Sequence, residues 1–174
     1  MASDKQRLLV DMDGVLSNIY AQMIAYEYAA NGIEIALEDV HGKDEIVAFP
    51  NGLKHVHSPG FFRTAPVIDH AIEVMETLND SFELFIVSAA MEFPNSLREK
   101  YDWLEEHFPF ITWQQIILCG HKKAVCGDIM IDDHFKNLDN FNGRTLLFTQ
   151  PHNVKEDRGH QRVNDWKEVA SLLL

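Results

Sequence analysis

Short, nearly continuous apolar runs recur along this sequence: Arg7 to Val10 (RLLV), Glu83 to Val87 (ELFIV), Gln115 to Leu118 (QIIL), Asp128 to Ile131 (DIMI) and Arg144 to Phe148 (RTLLF). Each is β-rich and short, as a strand buried on both faces requires. Helical patterns lie between and after them. Ile68 to Leu78 places Ile68, Ala71, Ile72, Met75 and Leu78 on one stripe, and Ser96 to His107 and Asn164 to Leu174 read the same way. Strands alternating with helices predict a doubly wound α/β fold around a parallel sheet, with ligands outside the carboxyl ends of the strands.

Residues 17 to 65 interrupt the alternation. A helical stretch from Ser17 to Asn31 leads into a segment broken by Gly42, Pro50, Gly52, Pro59 and Gly60. Following the first strand directly, this stretch is expected to form a small, mostly helical cap over the strand ends, with residues 1–16 and 66–174 forming the core. The polar stretch Pro151 to Gln161 reads as a mobile surface loop.

A chain of 174 residues can bury roughly 70% of its unfolded surface without disulfides or structural metal. Its net charge of −12 argues against tracking a nucleic-acid backbone, which needs a basic face. No apolar run approaches the length of a membrane span, and MASDKQRLLV has no stretch of signal-peptide length, so a cytoplasmic protein is expected. Cys119 and Cys126 lack a second pair and read as buried thiols rather than as zinc ligands or a disulfide. His55 and His57, between Gly52 and Pro59, read as solvated loop imidazoles.

Four polar features fall at the ends of four of the predicted strands. Asp11-Met12-Asp13-Gly14 sets two carboxylates two residues apart beside a glycine that permits a sharp turn. One carboxylate can attack phosphorus, and the other can protonate a leaving alkoxide and then activate water. Ser88 follows ELFIV, where its hydroxyl and the next amides, beginning with Ala89, point at the same crevice. Lys122, in LCGHK, offers an ammonium to offset phosphoryl charge, although adjacent Lys123 leaves the choice open. Asp132 and Asp133 close GDIMI. Consecutive buried carboxylates are costly without a cation, and oxygen ligands favour magnesium.

These motifs resemble those of the haloacid-dehalogenase superfamily. PGFFRTAP, KYDWLEEHFPF, ILCGHK, GDIMIDD and LLFTQPHN, in this order, are further similar to the 5'(3')-deoxyribonucleotidase family, in its bacterial form, over residues 8 to 153. The resemblance implies a Rossmann-like core, a helical cap, Mg2+ and hydrolysis of nucleoside monophosphates. Asp11 would be the nucleophile and a metal ligand. Asp13 would be the acid/base and bind metal through its carbonyl. Ser88, Ala89 and Lys122 would hold the phosphoryl group. Asp133 would complete the metal site, with Asp132 a further ligand or a support beside it. Ile19 stands where animal members carry an aromatic against the base, and Ser88-Ala89-Ala90 stands where they read T-S-P. Phe61 and Phe62 offer another aromatic platform in the substrate pocket. The partner implied is a small phosphate monoester, with no nucleic-acid polymer and no membrane; a homodimer is left open. The residues alone also accommodate a phosphatase or phosphotransferase for another metabolite, and a non-catalytic scaffold on the same fold.

Overall fold

In the computed structural model, which describes residues 5–174, six parallel strands lie in the order β3-β2-β1-β4-β5-β6. They are β1 (Arg7–Val10), β2 (Glu83–Ser88), β3 (Ile116–Leu118), β4 (Ile129–Asp132), β5 (Arg144–Phe148) and β6 (Gln161–Val163). The helices are α1 (Ile19–Asn31), α2 (Glu45–Ala48), α3 (Gly52–Val56), α4 (Ala71–Ser81), α5 (Ser96–His107), α6 (Phe135–Leu138) and α7 (Trp166–Leu173). The first four residues, part of the N-terminal segment read above, lie outside the described region. Among the described residues no helix is long and apolar enough to cross a membrane.

From β1 the chain builds outward through β2 to β3, then returns to β4 on the other side of β1 and continues to β6. The direction reverses between β1 and β4, and the crevice beyond such a reversal is where open α/β sheets bind ligands. Side chains of β1 alternate between the faces. Leu8 and Val10 pack with α4, α5 and α7, whereas Leu9 packs with Val87, Met130, Leu147 and Leu138 of α6. The first face carries three longer helices. The second carries α6 and the loop around Val125.

Several boundaries differ from the sequence expectation for local reasons. α1 begins at Ile19 because the Asn18 side chain accepts the Ala21 N–H at 3.0 Å. α4 begins three residues late because Val67 and Ile68 pair with Ser17 and Leu16, and His70 turns the chain at φ 65°. β2 and β4 run one residue further than expected, so Ser88 and Asp132 are the last residues within their strands. Pro151 to Asn153 are not a mobile loop: Pro151 and Asn153 are buried, and the chain beyond returns to pair β6 with β5.

Residues 17 to 65 are mostly helical, and Ile19, Tyr20, Met23, Val40, Phe49, Val56 and Phe61 form a hydrophobic cluster separate from those of the sheet. His55 is not solvated. It lies on α3, 3% exposed, with Nε2 3.3 Å from buried Glu27, which also accepts the Asn51 N–H at 2.6 Å. His57 is exposed, as expected. The cysteines are less buried than expected: Cys119 is half-buried and Cys126 exposed, because β3 is an edge strand and Cys126 lies in the turn before β4.

The turn after β1 is tied to the far end of the chain, since the buried Trp166 indole N–H donates to Val15 O at 2.8 Å. Trp166→Phe leaves that carbonyl unpaired and opens a small void. It is expected to lower unfolding free energy by about 1–3 kcal/mol, as read from denaturant titration.

Candidate active site

Asp11 leaves β1 and Asp132-Asp133 close β4, so the strand reversal brings three carboxylates together. Ligand oxygens of Asp11, Asp132 and Asp133 lie within 4.8 Å of one another, and all three residues are buried. Such a group is tolerable only with compensating positive charge. Lys122, 4% exposed, supplies part of it, with Nζ 2.6 Å from Asp11 Oδ1 and 2.6 Å from Asp132 Oδ2. Lys123 is exposed, so of the two adjacent lysines it is Lys122 that reaches the carboxylates.

The consecutive aspartates have different surroundings. Both oxygens of Asp132 are occupied, by Lys122 Nζ, the Asn137 side-chain amide at 3.0 Å and the His134 N–H at 2.9 Å. Among the described residues, both oxygens of Asp133 are buried without a hydrogen-bond partner. That orphaned carboxylate, facing Asp11, fits a divalent cation with oxygen ligands, whereas Asp132 fits a support that holds Lys122.

Asp133 is fixed through its backbone. Its carbonyl accepts from His152 Nε2 at 2.9 Å and Asn153 Nδ2 at 2.9 Å, which explains why the Pro151–Asn153 segment is buried. Gly14 closes the other side at φ 74°, and a Cβ there would lie 2.2 Å from Asp133 Oδ2, so only glycine allows this approach. Gln150 Nε2 holds the Gly14 carbonyl at 2.5 Å.

Lys100 was not a candidate from the sequence, yet it is 2% exposed and enters the site from α5. Its ammonium pairs with Asp13 Oδ2, donates to Ser88 Oγ at 3.0 Å and stands 4.7 Å from the Phe62 ring centre. The second Asp13 oxygen accepts from Ser17 Oγ at 3.3 Å. Apart from its place in KYDW, nothing in the local pattern separates Lys100 from a solvated helix lysine.

Asp11, Asp13, Ser88, Ala89, Lys100 and Lys122 line one cavity. Apolar Ile19, Met23, Val56, Phe62 and Phe93 line it as well, together with Glu45, Glu92, His134, Lys136 and Asn137. Phe61 does not line it. That ring is fully buried, packed edge-on against Tyr26 and Phe62, so of the two adjacent rings Phe62 alone lines the cavity.

Burial pushes the Asp11 carboxyl up to about 8, with Lys122 opposing and the neighbouring aspartates reinforcing the rise. Burial likewise pushes Asp133 up to about 7. Burial works against the charge on Asp132 too, but Lys122 and Asn137 outweigh it and hold that carboxyl below its ordinary value. Asp133 and Glu45 outweigh the burial of His134 and hold its imidazole up to about 10.

Solved structures similar to this fold include haloacid-dehalogenase-type hydrolases. One from Streptococcus pneumoniae superposes with a TM-score of 0.63 at 13% identity, covering 98% of this chain and 99% of its own. A second, from Bacillus subtilis and bound to magnesium, gives 0.60 at 14% identity, covering 98% and 99%. The fold is therefore of the haloacid-dehalogenase class. Within it, the chain belongs to the 5' nucleotidase, deoxy (pyrimidine), cytosolic type C family, whose sequence model matches residues 5–174. The 5'(3')-deoxyribonucleotidase of Bacillus subtilis is 35% identical over 173 residues, 98% of this chain and 99% of its own length. The family resemblance read from the motifs is thus borne out.

Without metal, Asp11 and Asp133 retain protons that the unfolded chain has lost above about pH 4, so stability falls as pH rises through their raised values near 7 and 8. His134 adds to the fall above its unfolded value of 6.5, and His152, held below its ordinary value, opposes it over a narrower range. The chelator-treated protein is expected to melt at lower temperature at pH 8 than at pH 5. Asp133→Asn should flatten that slope and stabilise the metal-free chain by on the order of 2 kcal/mol at pH 8, as measured by calorimetry.

Proposed function

We propose that this chain is a magnesium-dependent phosphatase that hydrolyses 5'-monophosphates of nucleosides, deoxy forms above all, through an aspartyl-phosphate at Asp11. The orphaned Asp133 carboxylate carries this reading, because a buried anion facing Asp11 fits a cation that also receives phosphate oxygens. The family description and the name of the Bacillus subtilis relative support the nucleotide, and the magnesium in a solved neighbour supports the metal. A cytoplasmic setting agrees with such a substrate.

Asp11, Asp133 and the Asp13 carbonyl would hold the metal, which when bound supplies charge neutralisation between carboxylates and phosphate. An Asp11 carboxylate oxygen attacks phosphorus as the bond to the leaving oxygen breaks, and Asp13 gives that oxygen its proton. Asp13 then takes a proton from the water that attacks the acyl phosphate, freeing Asp11 and inorganic phosphate. Ser88, the Ala89 amide and Lys122 hold the phosphoryl oxygens, and Lys100 keeps Asp13 beside Ser88. Asp132 secures Lys122. Residues 17–65 act as a cap on the core formed by 1–16 and 66–174, and Ile19 and Phe62 meet the nucleoside.

A panel of dUMP, dTMP, UMP and generic phosphate esters tests the substrate class: turnover confined to sugar phosphates would remove the nucleotide from the reading. Asp11→Asn is expected to lower kcat by at least about 10³-fold, and full activity in that variant sinks the covalent mechanism. Chelation should abolish phosphate release, and Mg2+ should restore it.

A further inference from the structure

The motif PGFFRTAP, which supplies no group to the phosphate end, is held by α5, the helix that carries Glu99 and KYDW. The Glu99 carboxylate accepts three backbone N–H groups from this motif: Gly60 at 2.7 Å, Phe62 at 3.1 Å and Arg63 at 3.2 Å. Gly60, at φ 86°, turns the chain so that these amides converge. Two turns further along α5, Glu106 pairs with the Arg63 side chain. Trp103 Nε1 donates to Ala65 O at 2.8 Å, and Asn95 Nδ2, at the head of α5, donates to Val56 O at 2.9 Å. The helix α5 thus holds much of the return of the cap to the core, with Gln22 of α1 donating to Phe61 O at 2.7 Å from the other element.

The consequence falls on Phe62. Its amide is tied to Glu99, and its ring lies over the ammonium of the next residue, Lys100, which touches Asp13 and Ser88. The same ring lies 6.1 Å from that of Phe93, which also lines the cavity. Phe62 therefore neighbours both the Lys100 ammonium and Phe93 in the cavity wall, and Glu99 ties the backbone that carries it.

We propose that Glu99 is a positioning residue for the leaving group, setting the wall against which the nucleoside packs; this rests on the nucleotide reading above. Carboxylate acceptors of several N–H groups give strong, directional bonds. Losing them frees Phe62 while leaving Asp11, Asp13, Ser88 and Lys122 in place.

Glu99→Ala is expected to raise KM for a deoxynucleoside monophosphate about tenfold with kcat changed less than about threefold. Inhibition by inorganic phosphate, which meets only the phosphoryl end, should be unchanged. Glu99→Gln keeps an acceptor oxygen and should show a smaller rise. Combining Glu99→Ala with Phe62→Ala should add little to Phe62→Ala alone, since both act through one ring. Amide exchange at Gly60, Phe62 and Arg63 should quicken in Glu99→Ala. An unchanged KM with quickened amides overturns the proposal, as does a parallel loss of nucleotide and phosphate binding. Failure of the nucleotide reading is visible separately, in a native chain that spares nucleoside monophosphates; amide exchange and phosphate inhibition, which need no nucleotide, then decide whether the clamp exists.

Discussion

Lys122 stands between two strands that would otherwise confront each other with buried negative charge. Its ammonium touches Asp11 at the end of β1 and Asp132 at the end of β4, at 2.6 Å each. Burial alone would disfavour this ammonium, but the two carboxylates hold it charged well above the ordinary lysine value. A buried pair of this kind is worth little as a source of stability, yet removing one member leaves an uncompensated charge. The rest of the centre follows from that constraint. Asp132 is saturated by Lys122, Asn137 and a backbone amide, so it can stay ionised, whereas the Asp133 carboxylate oxygens have no hydrogen-bond partner among the described residues.

The sheet makes this arrangement possible because the strand order reverses between β1 and β4. Neighbouring parallel strands end side by side, so residues more than a hundred positions apart come within ligand distance. Gly14 lets the turn after β1 press against Asp133, and His152 and Asn153 fix the Asp133 backbone from the far side. The helix α5 adds a second layer. Lys100 faces Asp13 and Ser88, Glu99 holds the segment that carries Phe62, and Trp103 holds Ala65.

Legibility followed the strength of local signals. β1 and β5 were read to the residue because their apolar runs end in sharp polar punctuation. β6 was missed, since Gln161-Arg162-Val163 holds one apolar residue and becomes a strand only by pairing with β5. His55 looked solvated because the sequence shows its proline and glycine neighbours but not Glu27, which approaches from another helix. Phe61 and Phe62 are indistinguishable as a dipeptide, and packing within residues 17 to 65 buries the first ring while the second lines the cavity.

By itself the sequence determined the parallel α/β class and which strand ends carry Asp11, Asp13, Ser88, Lys122 and the Asp132-Asp133 pair. Those features are written in short-range periodicity and in chemistry that ordinary loops seldom collect. The tertiary structure decided how the two aspartates differ, why Lys122 rather than Lys123 is buried, and that Lys100 joins them. These depend on distances between segments far apart in the chain. Whether a lysine is solvated or buried against a carboxylate is set by what other elements bring to it, and no local pattern records that.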